Sequence, residues 1–178
     1  METKPAVVAF AFGTGHTQAN PCIGLIAAEK AVSLRFKRSF SDSLLEVTVY
    51  SQPDLSNHIW EVTPQSIIAE KPGKPSPTLR ISMWVVERAV EDGVTDLWIA
   101  AASPHLPRCE RDLRWAIRHA GADIRVHICE KIEEKSYEFW FDPASTQART
   151  QTREAWEKRE TLVMQLPFSI YRLVSLVG

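Results

Sequence analysis

A histidine and an arginine three residues apart, directly after a buried-strand pattern, carry the clearest chemistry in this chain. In the run Asp96–Gly121 (DLWIAAASPHLPRCERDLRWAIRHAG) an apolar stretch, Leu97 to Ala102, meets the tight turn Ser103-Pro104-His105 and then a helical pattern closed by Gly121. Ser103 is a favourable N-cap, and Pro104 suits the first helical turn, where a missing N–H costs nothing. Leu106, Cys109, Leu113, Ala116, Ile117 and Ala120 recur at helical spacing and predict one apolar face. His105 and Arg108 then fall near the helix N-terminus, whose unpaired N–H groups and partial positive charge favour anions. The planar fork of Arg108 suits phosphate or carboxylate, and an imidazole titrating near neutrality can move protons. The pair therefore predicts an anion clamp beside a general acid/base. Arg111, Arg114 and Arg118 are assigned to a solvated face, with Glu110 pairing Arg114 one turn on. Arg108 itself reads as a surface residue outside the apolar stripe, so Arg108→Ala is expected to weaken ligand binding and spare the fold.

Other segments offer polar groups at strand ends. Gly13-Thr14-Gly15, followed by His16, could bring backbone N–H groups to a phosphate, or could simply turn the chain; it is neither a Walker A loop nor GxGxxG. Ser51 ends a second strand. Glu70 stands next to a Lys/Pro/Gly/Ser-rich loop, Lys71 to Pro77, which reads as an active-site flap. Glu70 either serves the site, as a base or a ribose ligand, or is a loop carboxylate paired with Lys71. Ser76 and Thr78 fit helix capping as well as ligand binding. The candidate catalytic set is His105, Arg108 and Glu70; the candidate ligand-binding set is Gly13, Thr14, Gly15, His16, Ser51, Ser76, Thr78 and Ser103. No His/Cys/carboxylate spacing suits a metal, and there is no nucleophile elbow.

The elements that must position these groups follow one repeating pattern. Ala6–Phe12 reads as a strand buried on both faces. Asn20-Pro21 opens a helix as N-cap and first residue, with Ile23, Ile26, Ala27, Ala31 and Leu34 inward. Leu45–Tyr50 is a second strand, Asn57–Val62 a short helix and Ile67–Ala69 a third strand. Ser76-Pro77 opens a helix stopped by Gly93, and Ile124–Cys129 is a fifth strand after Leu97–Ala102. Tyr137–Phe141 reads as an extra edge strand. From Thr146 a helical tail is expected, broken at Pro167. The prediction is a single Rossmann-like domain over residues 1–178: a three-layer, doubly wound α/β fold on a mainly parallel five-stranded sheet, with residues 146–178 packed on it. In such folds ligands bind beyond the strand carboxyl ends, at the topological switch point, where the candidate residues gather.

Composition narrows the function classes. The net charge of -1 gives no global attraction to nucleic acid or anionic membranes. Three well-separated cysteines, Cys22, Cys109 and Cys129, argue for reduced thiols in a cytoplasmic chain and against structural zinc. The first residues, with an apolar run of only Ala6 to Phe12, lack the layout of a secretory signal, and no window reaches the length of a membrane-spanning helix.

The run LWIAAASPHLPRCERDLRWAIRHAG resembles the segment of SanA/ElyC/YdcF-like proteins in which a strand ends in a small-polar turn, then histidine, a short gap and arginine. The other pieces are similar in order: Gly13 to Gly15, Tyr50-Ser51, Glu70 with Ser76 and Thr78, His105 with Arg108, and Glu160 with Tyr171-Arg172. Where that family carries acidic and amide residues after the Thr, this chain has Leu79-Arg80-Ile81. The resemblance implies a Rossmann-like fold, a role in envelope biogenesis for some members and S-adenosylmethionine binding for one branch.

Two function classes follow. In the first, the cleft takes a phosphorylated or nucleotide-like anion and catalyses hydrolysis or group transfer, with Arg108 holding the anion and His105 as acid/base. In the second, it only binds an anionic metabolite, and Trp140, Phe141 and Trp156 form a protein-contact surface, self-association included; core packing is the alternative for these aromatics.

Overall fold

A computed structural model describes residues 3–13, 17–38, 47–60, 62, 64–66 and 76–177. The chain is an α/β protein whose sheet is parallel throughout, in the order β3-β2-β1-β4-β5. The strands are β1 (Pro5–Ala9), β2 (Thr48–Ser51), β3 (Pro64–Ser66), β4 (Asp96–Ala100) and β5 (Arg125–Ile128). The helices are α1 (Ala19–Arg38), α2 (Pro53–Ser56), α3 (Thr78–Glu91), α4 (Leu106–Ala120), α5 (Arg153–Gln165) and α6 (Phe168–Val177).

Because β1 and β4 are covered on both faces, nearly every side chain in them is apolar and buried, which is why they read as continuous rather than alternating runs. Val7 and Ala9 pack with the inner face of α1 (Ile23, Ala27, Ala31), with Trp140 and with Trp156 from α5. Ala6 and Val8 point the other way, into a second cluster with Val85 and Val86 of α3 and Leu113 and Ile117 of α4. Gly24 of α1 is required by contact: a Cβ there would stand 2.6 Å from the backbone oxygen of His58, so α1 can meet the turn after α2 only through a bare Cα.

Several expected boundaries move, each for a local reason. Asn20 does not cap α1, which already starts at Ala19; its Oδ1 accepts the Phe12 N–H at 2.9 Å and ties the end of β1 to the helix. Helix α2 begins at Pro53 and ends at Ser56, with Asn57 its C-cap, instead of running over Asn57–Val62. The Ile67–Ala69 strand lies outside the described residues, and the pairing segment is Pro64–Ser66. Tyr137–Trp140 is a 3₁₀ turn, so no sixth strand forms there. It is anchored by its aromatics: Trp140 and Phe141 are buried, as is Trp156, and none of them offers a protein-contact surface. Ser103 is not the N-cap of α4. The His105 and Leu106 N–H groups both donate to the Ala102 carbonyl, Pro107 has no N–H to continue the ladder, and the regular helix starts at Leu106 with His105 as N-cap residue. The C-terminal pattern holds as expected, with α5 ending just before Pro167 and α6 following it.

Among the described residues no helix is long and apolar enough to cross a membrane. Cys109 and Cys129 are buried, Cys22 is half-buried, and all three are free thiols.

Candidate functional site

The site is built where β1, the strand between β2 and β4, ends. In parallel sheets ligands bind beyond the strand carboxyl ends, and here a crevice opens at that edge. A cavity of about 220 Å³ occupies it. Ala11, Phe12 and Gly13 follow β1, Gln52 follows β2, and Ser76, Pro77 and Thr78 lead into α3. His105 and Arg108 come from the start of α4, and the tail closes the rest with Arg149, Trp156, Arg159 and Tyr171.

Gly13 has φ 78°, and a Cβ on it would come within 3.0 Å of Ser145 Oγ. The glycine turn is therefore needed for packing: the 142–150 loop lies on it, its Ser145 and Thr150 hydroxyls bonded to each other at 2.7 Å. Gln52 Oε1 accepts the Ala11 N–H at 2.8 Å and fixes the chain between β1 and the cavity.

His105 is buried among Phe10, Phe12 and Trp156, whose ring is 5.5 Å away and perpendicular. Its Nε2 lies 3.1 Å from Thr78 Oγ1, while Nδ1 has no hydrogen-bond partner among the described residues. Burial first, and then the charges of Arg108, Arg149 and Arg159, hold its pKa well below 6.5, so the ring is neutral. Thr78 does not cap α3; the N-cap residue is Pro77, without a side-chain cap bond, and the Thr78 hydroxyl is directed to the imidazole.

Arg108 is buried, in contrast to the surface position expected from its place beside the apolar stripe. Its Nη1 stands 3.3 Å from Glu160 Oε2 of α5, an ion pair without hydrogen-bond geometry, and its Nε has no hydrogen-bond partner among the described residues. Burial raises the Glu160 carboxyl above its ordinary range although Arg108, Arg159 and Arg111 lower it. Burial, then Arg159 and Arg108, bring Arg149 down to about 10, and burial and Arg108 also lower Arg159. Arginine is ordinarily charged far above that range, so these depressions record burial first and the crowding of like charges second.

One wall thus presents three guanidinium groups with Glu160 set against them, and the exposed Asp54 of α2 also lines the cavity. A further carboxylate nearby, Asp112, is already engaged: it accepts from Tyr171 Oη of α6 and from Arg111 Nε at 3.1 Å. Arg111 is accordingly not on the solvated face; it lies against Asp112 and over the Tyr171 ring. Arg114 does behave as expected, paired with Glu110 at 2.8 Å on the exposed side.

The structure therefore brings Gly13, Ser76, Thr78, His105 and Arg108 to one cavity. Ser51 and Ser103 do not line it; Ser51 is buried with its Oγ 3.4 Å from that of Ser56. Thr14, Gly15, His16 and Glu70 lie outside the described residues. Reading the residues singly missed Arg149 and Arg159. For Arg159 a signal existed: Trp156, Arg159, Glu160 and Val163 fall at i, i+3, i+4 and i+7, which puts two charges on the stripe that docks α5. Arg149 sits in a 3₁₀ turn without periodicity, and its place follows only from the tertiary fold.

A neutral buried histidine predicts a pH dependence of stability. The unfolded chain takes up a proton at His105 below about pH 6.5 and the folded chain does not, so stability falls as pH drops below that value, toward a limit of roughly 1.4 kcal/mol per pH unit. Glu160 and Asp112, both raised, oppose this, because the folded state protonates them before the unfolded state does. Urea unfolding between pH 7 and 5 should therefore show a steeper loss in wild type than in His105→Gln, and equal slopes would contradict the burial of a neutral ring.

The fold and cavity together define an α/β protein with a small, arginine-walled pocket at the strand carboxyl ends. No protein-family model matches the chain, and neither the curated proteins nor the solved structures contain a significant match to it.

Proposed function

We propose that the cavity binds a small phosphorylated compound, with the phosphate held by Arg108, Arg149 and Arg159. The observation that carries this reading is the excess of positive charge: three guanidinium groups line about 220 Å³ of space, against two carboxylates, Glu160 paired with Arg108 and the exposed Asp54. Such groups in a partly dehydrated setting make strong, forked hydrogen bonds to phosphate oxygens. The volume is below the roughly 300 Å³ at which pockets for drug-sized ligands begin. It suits the anionic head of a ligand, and any larger body extends past Val163, Leu166 and Val174 at the α5–α6 rim. A cation such as the sulfonium of S-adenosylmethionine is disfavoured against this wall. The resemblance of the His105/Arg108 segment supports placing the chain among SanA/ElyC/YdcF-like proteins, with a doubly wound layer arrangement.

Titration calorimetry with inorganic phosphate, pyrophosphate and simple phosphate monoesters tests the reading. Saturable binding that weakens with salt is expected, and Arg149→Ala should reduce affinity about 10- to 150-fold, the equivalent of roughly 1.5–3 kcal/mol for a charged hydrogen bond. No saturable binding by any of these probes, or binding indifferent to Arg149→Ala, would overturn it.

A further inference from the structure

Beyond holding an anion, the cavity contains a hydroxyl and a base already in contact. We propose that Thr78 is a nucleophile and His105 its general base, so that the site transfers a phosphoryl group from a phosphate monoester to water through a phosphothreonine intermediate. This rests on the phosphate reading above and names the reaction that reading permits.

The geometry is that of an activated nucleophile. Thr78 Oγ1 and His105 Nε2 are 3.1 Å apart, within the reach required for proton transfer, and both residues line the cavity beside Arg108 and Arg149. Thr78 is the first residue of the 14-residue helix α3, and its hydroxyl is free of the capping role usual at such a position. A phosphate held by the arginines would meet this hydroxyl at the same helix end, where backbone N–H groups favour negative charge. The ring held between Phe10, Phe12 and Trp156 is neutral, the state in which an imidazole can accept a proton. The base role requires the tautomer with hydrogen on Nδ1 and the Nε2 lone pair toward Thr78.

The step balances without an outside oxidant or metal. Thr78 Oγ attacks phosphorus as the bond from phosphorus to the ester oxygen breaks. The hydroxyl proton passes to His105 Nε2, while the departing alkoxide, on the far side of phosphorus, takes a proton from solvent and leaves as an alcohol. Water next attacks the phosphothreonine from that far side and gives its proton to solvent, and His105 Nε2–H returns its proton to Thr78 Oγ as the phosphorus–Thr78 oxygen bond breaks and inorganic phosphate is released. The arginines hold the three non-bridging oxygens through both displacements.

A structural reading of the same contact, in which Thr78 merely supplies a buried histidine with a partner, makes different predictions. Wild-type protein is incubated with p-nitrophenyl phosphate, quenched in acid and mapped by mass spectrometry, with inorganic phosphate binding measured in parallel. Release of nitrophenolate and one phosphoryl group on the Thr78 peptide are expected. Thr78→Ser should retain both, Thr78→Val should lose both while still binding phosphate, and His105→Gln should slow release at least about 100-fold. Nitrogen NMR of the imidazole should show Nε2 unprotonated. Phosphate binding without release or labelling in wild type, release that survives Thr78→Val, or a protonated Nε2 in the neutral ring would each overturn the inference and leave phosphate binding standing. Wild type that binds no phosphate would overturn both.

Discussion

Trp156→Ala is expected to destabilise the protein by about 3–5 kcal/mol, the usual loss when a large aromatic is deleted from a core. Trp156 is 2% exposed, its ring 4.7 Å from that of Phe12 and 5.5 Å from that of His105. Its indole N–H donates to the Pro104 carbonyl at 3.1 Å, joining α5 to the turn that carries His105. Removing the ring both opens a void beneath the cavity and frees that carbonyl. A domain of this kind holds only about 5–15 kcal/mol in total, so the loss is a large share of it. Trp156→Phe separates the two effects: it keeps most of the packing and leaves the carbonyl unpaired, at a cost of roughly 1–3 kcal/mol. Urea denaturation followed by circular dichroism measures both variants. A loss below about 1 kcal/mol for Trp156→Ala would mean that α5 contributes little to the fold. Because Arg159 and Glu160 follow on the same helix, phosphate affinity should fall with stability.

The central architecture was legible from local pattern. Buried runs ending in small or glycine-rich turns located β1, β4 and the carboxyl-end crevice, since a strand covered on both faces leaves an apolar signature. Gly93 and Gly121, with φ of 69° and 64°, stop α3 and α4 where expected. What failed had tertiary causes. Tyr137–Phe141 has the composition of a strand, but its aromatics are recruited one by one into the α1 side of the core, and a 3₁₀ turn aims them there. Ser103 and Asn20 have the chemistry of caps, yet Pro107 and the Phe12 N–H decide where α4 starts regularly and what Asn20 binds. The cavity was half legible. His105 and Arg108 are marked by their position after a strand, whereas the arginines of the tail reach the same space from more than forty residues away in sequence. Local periodicity carries no record of that docking.

Arg108 shows most directly how burial changes an expected outcome. Were it a surface residue, Arg108→Ala would cost affinity alone. In the structure its side chain is 8% exposed and stands 3.3 Å from Glu160, itself 14% exposed, so the substitution strands a buried carboxylate. Breaking such a pair from one side costs about 3–5 kcal/mol. Arg159 remains close enough to soften the effect, which places the expected loss at the lower end. The loss should shrink as pH falls toward 5: the Glu160 carboxyl is already raised by burial, removing Arg108 raises it further, and once protonated it no longer needs a cation. Arg108→Ala combined with Glu160→Ala should destabilise by less than the sum of the single changes, with a coupling of roughly 0.5–3 kcal/mol. On phosphate binding the two single variants should act in opposite directions. Arg108→Ala removes a clamp and weakens affinity about 10- to 150-fold, whereas Glu160→Gln removes the competing negative charge and strengthens it. Arg114→Ala, on the exposed face of the same helix and paired only with Glu110, should leave stability within about 0.5 kcal/mol and affinity nearly intact. Additive losses in the double variant would show that Arg108 and Glu160 do not act as a pair, and equal effects of Arg108→Ala and Arg114→Ala on binding would reduce the wall to a diffuse positive surface.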